Sequence, residues 1–226
     1  MGSPIVVKIS GRIISPQNIG LVREYSRILG EAHLQGKRLA VVVGGGATAR
    51  SYIEAARSLE CSEAVLDIIG IDASRLNARL LIAGLGSKAH PLVPGNLGEF
   101  LQYWESGKIV VAGGFQPGQS TNAVAAVVAE AIGADKLINA TLVDGIYDKD
   151  PARHSDAKLL ERITYRELRD ILQSTQTSLA GAYELFDPVA LNVAERSRIK
   201  LVFINGWNPE NLAKALRGEP VGTLVG

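Results

Sequence analysis

Sulfur is scarce in this chain of 226 residues, which has one cysteine and one methionine. A lone Cys61 excludes an intrachain disulfide and fits a reducing compartment. Neither sign of charge is in excess: 24 lysines and arginines face 23 acidic residues, for a formal net charge of +1. The chain as a whole therefore does not attract nucleic acid or an anionic membrane, and any anion must be recognised locally. Long hydrophobic runs are also missing. No stretch reaches the roughly 18 uncharged apolar residues of a membrane span, and no basic segment followed by an apolar one opens the chain. Met1 and Gly2 begin a myristoylation pattern, but Val6 stands where Ser or Thr is required. These absences predict a cytoplasmic protein without a membrane or nucleic-acid partner.

The three histidines, His33, His90 and His154, share no metal-ligand spacing. They read as surface or hydrogen-bonded residues, and no metal site is predicted. No nucleophile triad is legible, and Trp104 and Trp207 read as packing residues. A glycine loop closing in Gly-Lys-Ser or Gly-Lys-Thr is absent, and no G-x-G-x-x-G follows the first strand. Both absences argue against a P-loop enzyme and a dinucleotide dehydrogenase.

The chain does have the material for a large core, with 46% hydrophobic residues. Strands are predicted at Ile5–Ile9, Leu39–Val43, Lys108–Ala112, Lys136–Asn139 and Lys200–Ile204, all short and apolar as in a sheet covered on both faces. Helices are predicted from Ser15, as N-cap before Pro16, to about Gln35, then from Gly46, at Glu63–Ala83, Thr121–Ile132, Thr164–Gln173, Asp187–Ser197 and Pro209–Arg217. This alternation predicts an α/β three-layer sandwich around a mostly parallel central sheet, with sites at the carboxyl ends of strands. A single domain over residues 1–226 is expected. The polar loop from Asp144 to Lys158 is its best seam, with two lobes meeting near 140–158.

Three features at strand ends suit phosphate. Ala112 gives way to Gly113 and Gly114, and Ser120 and Thr121 then open an alanine-rich helix. Gly44, Gly45 and Gly46 follow the second strand, and Lys8 ends the first. Glycines let backbone approach a ligand, and helix N-termini offer free N–H groups and partial positive charge. Arg50, early in the helix after Gly46, adds a fork of donors where the dipole disfavours a purely structural cation. Asp67, Gly70, Ser74 and Asn77 fall on one small, polar helix face, which a closely approaching ligand would explain. Thr121 also reads as a helix cap, and Asp187-Pro188 as a helix start.

In order, Lys8-x-Ser10-Gly11, Gly44-Gly45-Gly46 with Ala49 and Arg50, Gly113-Gly114 before Gln119-Ser120-Thr121, and Val143-Asp144-Gly145-Ile146-Tyr147 with Asp150-Pro151 resemble the amino acid kinase superfamily. Asp67 to Ala78 and Gly222-Thr223-Leu224 are similar to the archaeal branch that acts on UMP. The likeness runs from Lys8 to Thr223. It implies transfer of the γ-phosphoryl of ATP to UMP, with Mg2+, in a homo-oligomer expected to be a hexamer assembled from dimers. Lys8 and Asp187 are the implied catalytic pair. Lys8, Ile9, Ser10, Gly11, Arg12, Gly46, Arg50, Thr141, Tyr147 and Asp150 are implied to bind ATP. Gly45, Asp67, Phe115, Gln116, Pro117, Gly118, Gln119, Ser120 and Thr121 are implied to bind UMP. An N-terminal acceptor lobe and a C-terminal ATP lobe follow from the same likeness.

The chain departs from the pattern at Asn122, where many relatives carry an aspartate, and at Leu142, where bacterial ones carry a lysine. A cation lost at Leu142 has to come from Lys149, Arg12 or the metal. Two alternatives stay open: another small-molecule kinase of the superfamily, and a non-catalytic nucleotide or oxyanion binder.

Overall fold

The computed structural model describes residues 2–149, 151, 154, 156–176 and 186–226. In chain order the elements are β1 (Ile5–Ile9), α1 (Ile19–Leu34), β2 (Leu39–Val43), α2 (Gly46–Arg57), α3 (Glu63–Leu85), α4 (Leu97–Trp104), β3 (Val110–Ala112), α5 (Thr121–Ala131), β4 (Lys136–Thr141), β5 (Ile146–Tyr147), β6 (Leu159–Leu160), β7 (Arg162–Ile163), α6 (Tyr165–Gln176), α7 (Pro188–Arg196), β8 (Lys200–Asn205), α8 (Pro209–Arg217) and β9 (Thr223–Val225).

Seven strands form one sheet in the order β3-β2-β1-β4-β8-β9-β7, parallel throughout except between β8 and β9. Alternate residues of each strand enter opposite cores, as the pleat requires. Val6, Val42, Leu137 and Phe203 face a core closed by α4, α5, α6 and α7. Val7, Val41, Ile138 and Ile204 face another, closed by α1, α3 and α8. This is the three-layer α/β sandwich expected from the alternating pattern. Helix α2 packs outside it, against α3.

Several local readings need correction. Ser15 makes no capping bond. A 3-10 turn at Pro16–Asn18 precedes α1, and the Ser15 hydroxyl takes Asn18 Nδ2 at 3.3 Å instead. The Asp144–Lys158 segment is not wholly loop: β5 within it pairs antiparallel with β6, outside the main sheet. Trp104 is buried, but Trp207 is 44% exposed, because it lies in the turn between β8 and α8, outside both cores. His33 is not a satisfied histidine, since its Nδ1 is buried without a hydrogen-bond partner. No helix among the described residues is long and apolar enough to cross a membrane.

Candidate active site

The carboxyl ends of β1, β2, β3 and β4 lie side by side, because these strands are parallel neighbours in register: Lys8 sits opposite Val42 on one side and Asn139 on the other. Topology thus brings Lys8–Arg12, Gly44–Gly46, Gly113–Thr121 and Thr141–Tyr147 to one edge.

The first two loops meet backbone to backbone. Gly46 has φ +64°, and a Cβ there would lie 2.1 Å from Gly11 O, so no side chain fits. Helix α2 begins at Gly46 with no side-chain cap and no acidic residue in its first turn, which leaves its starting N–H groups and its dipole open to an anion.

Lys8 is only half-buried as a residue, yet its ammonium is drawn out of water. Burial pulls its pKa down to about 8, while Asp187 pulls the other way. Asp187 is also the N-cap of α7: Oδ1 accepts Ala190 N–H at 3.0 Å, and Oδ2 accepts the hydroxyl of Ser120. The cap reading of Asp187 therefore holds, and the same carboxylate stands near enough to oppose the lowering of the Lys8 pKa. Ser120 rather than Thr121 caps α5, accepting Ala123 N–H at 3.0 Å. The cap reading of Thr121 is thereby corrected, and Thr121 lines the adjoining cavity.

That cavity, about 210 Å³, lies between α2, α3 and the Gly113–Thr121 loop. Gly45, Gly46, Asp67, Gln116, Gln119 and Thr121 line it, as do Ala49, Ile53, Gly70, Ile71, Ser74 and Gly114. Of these, Ile53 and Ile71 have no signal in the sequence, because an apolar residue on a helix reads as core wherever it points. Asp67 Oδ2 accepts Gly118 N–H at 2.8 Å and so fastens the loop to α3. Phe115, Pro117, Gly118 and Ser120 are not among the lining residues, and Phe115 packs on the core.

The polar face of α3 has a partly different explanation from the expected one. Ser74 Oγ accepts Gly114 N–H at 2.8 Å, and Asn77 Nδ2 donates to Gly44 O at 2.9 Å and Gly45 O at 3.1 Å. What approaches closely at these two residues is loop backbone. Gly113 fits the same picture: a Cβ there would lie 2.6 Å from Ser74 Oγ and 2.8 Å from Arg75 N. Its missing side chain admits a helix.

On the other flank, Ile9 keeps its side chain in the core and its carbonyl takes Gly44 N–H at 3.0 Å, so only backbone is available there. Ser10 Oγ accepts Arg12 N–H at 3.3 Å. The Thr141 hydroxyl lies 2.9 Å from Val143 O, and Tyr147 O–H donates to Asp144 Oδ2 at 3.1 Å. Burial first, then Asp144, raises the Tyr147 pKa. Asp150 lies outside the described residues.

Leu142 packs against a core cluster, so the position contributes no charge. Lys149 is engaged by Asp156 at 2.5 Å. Arg12 stands close enough to Arg50 for the two cations to repel: burial, then Arg12, lowers the Arg50 pKa, with Glu54 opposing. An anion between the two guanidiniums would relieve that repulsion. Asn122 Oδ1 accepts Asn139 Nδ2 at 3.3 Å, a neutral contact one strand away from Lys8. Among the described residues, no group of His, Cys, Asp or Glu could hold a metal ion without a ligand's help.

The open start of α2, a desolvated lysine and two neighbouring guanidiniums at one sheet edge suit the handling of phosphoryl groups. Residues 3–205 match the Amino acid kinase family, and the chain belongs to that family. Among curated relatives, the uridylate kinase of Hyperthermus butylicus is 51% identical over 222 residues, covering 98% of this chain and 97% of the relative. That of Sulfurisphaera tokodaii is 47% identical over 221 residues, with 98% of each chain covered. The crystal structure of uridylate kinase from Archaeoglobus fulgidus superposes with a TM-score of 0.88 at 39% identity, covering 99% of this chain and all of that one.

Proposed function

We propose that the chain is an ATP-dependent UMP kinase, which transfers the γ-phosphoryl group to UMP to give UDP and ADP and serves pyrimidine nucleotide synthesis in the cytoplasm. The observation that carries the reading is the cavity beside Lys8, in which Asp67 and two glutamines stand against the open start of α2. A nucleoside monophosphate has a matching set of groups. Asp67 accepts from the ribose hydroxyls, Gln116 or Gln119 meets the uracil edge, and Gly45 with Thr121 takes the acceptor phosphate. An oxygen of that phosphate attacks the γ-phosphorus as the bond to ADP breaks, with no covalent enzyme intermediate. The protein's work is alignment and neutralisation of spreading charge. Lys8 supplies a positive charge at the transferred group, and Asp187 keeps it protonated and in place. Gly46, Arg12 and Arg50 hold donor phosphates, and Arg12 is the cation that compensates for Leu142. Thr141, Tyr147 and Asp150 flank ATP. Mg2+ would supply further positive charge at the transferred phosphates when the nucleotide binds.

In this reading the acceptor lobe is N-terminal, the ATP lobe is C-terminal, and they meet near 140–158. The assembly is a homo-oligomer, with a hexamer as the expected form. Tyr52, Leu59, Val65, Ile68 and Leu76 leave an apolar face of α2 and α3 exposed in the single chain, and a second copy would cover it. Sedimentation of the purified protein tests this, and a monomer at micromolar concentration refutes it. The reaction is tested by ADP release with Mg2+ and ATP against UMP, CMP, dTMP, acetylglutamate and isopentenyl phosphate. Selective turnover of UMP is expected. Turnover of a different acceptor would leave Lys8 its role and overturn the substrate, and silence across the panel would favour a non-catalytic binder.

A further inference from the structure

We propose that Arg75 is a positioning residue for the acceptor nucleotide, fixing by its guanidinium the loop that carries Gln116. The inference rests on the proposed reaction and adds to it a residue that does not line the cavity.

Arg75 Nε donates to Gly114 O at 3.1 Å, and Nη2 lies 2.8 Å from Gly95 O and 3.3 Å from Phe115 O. One half-buried side chain thus gathers carbonyls from two segments remote in sequence. Among the described residues, no carboxylate lies within ion-pair distance of it, although Arg27, Arg57, Arg169, Arg196 and Arg217 are all ion-paired. The donors of this half-buried guanidinium are met by main-chain carbonyls, with the Glu99 carboxylate bound to the same Gly95 peptide region rather than to Arg75 itself.

The geometry has a consequence for the loop. In a planar trans peptide, C=O and the following N–H point in opposite directions. Holding the carbonyls of Gly114 and Phe115 on Arg75 therefore also sets the N–H directions of Phe115 and Gln116, and the backbone from which Gln116 projects. Ser74, one residue earlier, accepts Gly114 N–H at 2.8 Å, so the Gly114 peptide groups are held from both sides. Through Gly95 the same guanidinium ties in the turn ahead of α4, where Glu99 Oε2 accepts Gly95 N–H at 2.8 Å. A lysine cannot replace this fork, because a single ammonium has neither the planar spread nor the reach to serve three carbonyls. Arg75 touches loop backbone and no reacting group, so its effect should fall on acceptor binding and selectivity.

Steady-state kinetics of Arg75→Met and Arg75→Lys, with ATP and UMP varied separately, test the assignment. Arg75→Met keeps the apolar stem and loses every donor, and its KM for UMP should rise about 10- to 100-fold, with kcat falling less and the KM for ATP within about twofold. Preference for UMP over CMP should narrow as well. Arg75→Lys should fall between wild type and Arg75→Met. In Arg75→Ala, millimolar guanidinium should restore UMP affinity, and urea at the same concentration should not. If Arg75→Met proves too unstable to assay, calorimetric titration of Arg75→Lys with UMP gives the same reading. A UMP constant at the wild-type value in either variant overturns the assignment, as does a parallel rise in both substrate constants. A wild-type protein inert on UMP would break the proposed reaction, whereas an active wild type with an indifferent Arg75→Met would break only the role of Arg75.

Discussion

At the ends of β1, β2 and β3, backbone packs on backbone. Gly46 meets Gly11, Gly113 meets α3, and the side chains that join these segments donate to or accept from main-chain groups. Around β5 and β6, side chains join side chains and clip short strands. Asn205 Nδ2 donates to Asp144 Oδ1 at 2.8 Å, Tyr147 donates to the same carboxylate, and Lys149 pairs with Asp156. Thr223 Oγ1 takes Ile146 N–H at 2.8 Å and lies 2.6 Å from Leu160 O. Contacts between main chains leave no room for adjustment, because any added atom must displace a strand or a helix. Exposed side-chain pairs can be exchanged at little cost. Both kinds of contact meet near β9, where a Cβ on Gly222 would lie 1.9 Å from Phe203 O, so it is the exposed pairs around β5 and β6 that are free to vary.

The largest break in that comparison should come where the two sides meet. Lys8→Ala should lower kcat at least about a thousandfold, with UMP affinity by calorimetry nearly unchanged. The same lysine sets a pH dependence: kcat/KM for ATP should fall as pH rises through about 8, because the proton that carries the charge is lost. Lys8→Arg should remove that limb. Stability should move the other way. Lys8 holds its proton less tightly in the folded state, at about 8, than at its ordinary value of 10.5. Between those values the unfolded chain binds more protons, and stability rises with pH across the window.

Next comes Gly46→Ala, which forces both a disfavoured φ and a clash with Gly11. A loss of roughly 2–4 kcal/mol in denaturant unfolding is expected. A change under about 0.5 kcal/mol would show that the contact of Gly46 with Gly11 yields more than its packing suggests. Asp67→Ala should raise the UMP constant about 10- to 100-fold, more than it lowers kcat, since it removes an acceptor for the ligand and the anchor of Gly118 together. The smallest effect belongs to the exposed pairs around β5 and β6. Lys149→Ala breaks an exposed pair and should leave the melting temperature and the ATP constant within error of wild type. A clear loss of ATP affinity there would make Lys149, rather than Arg12, the cation that offsets Leu142.

Much of this arrangement is legible in the sequence wherever one local rule dominates. The unbroken apolar runs Ile5–Ile9 and Leu39–Val43 are the strands they promise, and Asn208-Pro209 starts α8 where a cap and a first-turn proline should. What escaped depends on partners far along the chain. β5, β6 and β7 are two residues long and exist because β9 and Thr223 bind them, and α4 is eight residues capped by Asn96 beside a proline and two glycines. The site residues at glycine loops and at Asp67 stood out by pattern. The reason for several of them did not: Ser74, Asn77 and Gly113 look like ligand contacts until α3 is seen lying against the loops. Arg75 carried one faint signal, a long cation just after Ser74 and two residues before Asn77, in the helix that carries Asp67.

The position of β9 in the sheet has a bearing on how the molecule comes into being. It lies between β8 and β7, and it pairs with Ile163 of β7 through Val225. As the chain leaves the ribosome, β1, β2 and β3 are complete once Ala112 is made, whereas β7 emerges into a sheet that lacks the strand it pairs with until residues 223–225 follow. The hairpin of β5 and β6 likewise waits 77 residues, from Ile146 to Thr223, for its clip. The half of the sheet that holds β1, β2 and β3 can therefore fold first and act as a template, and the half that holds β7 and β9 closes last.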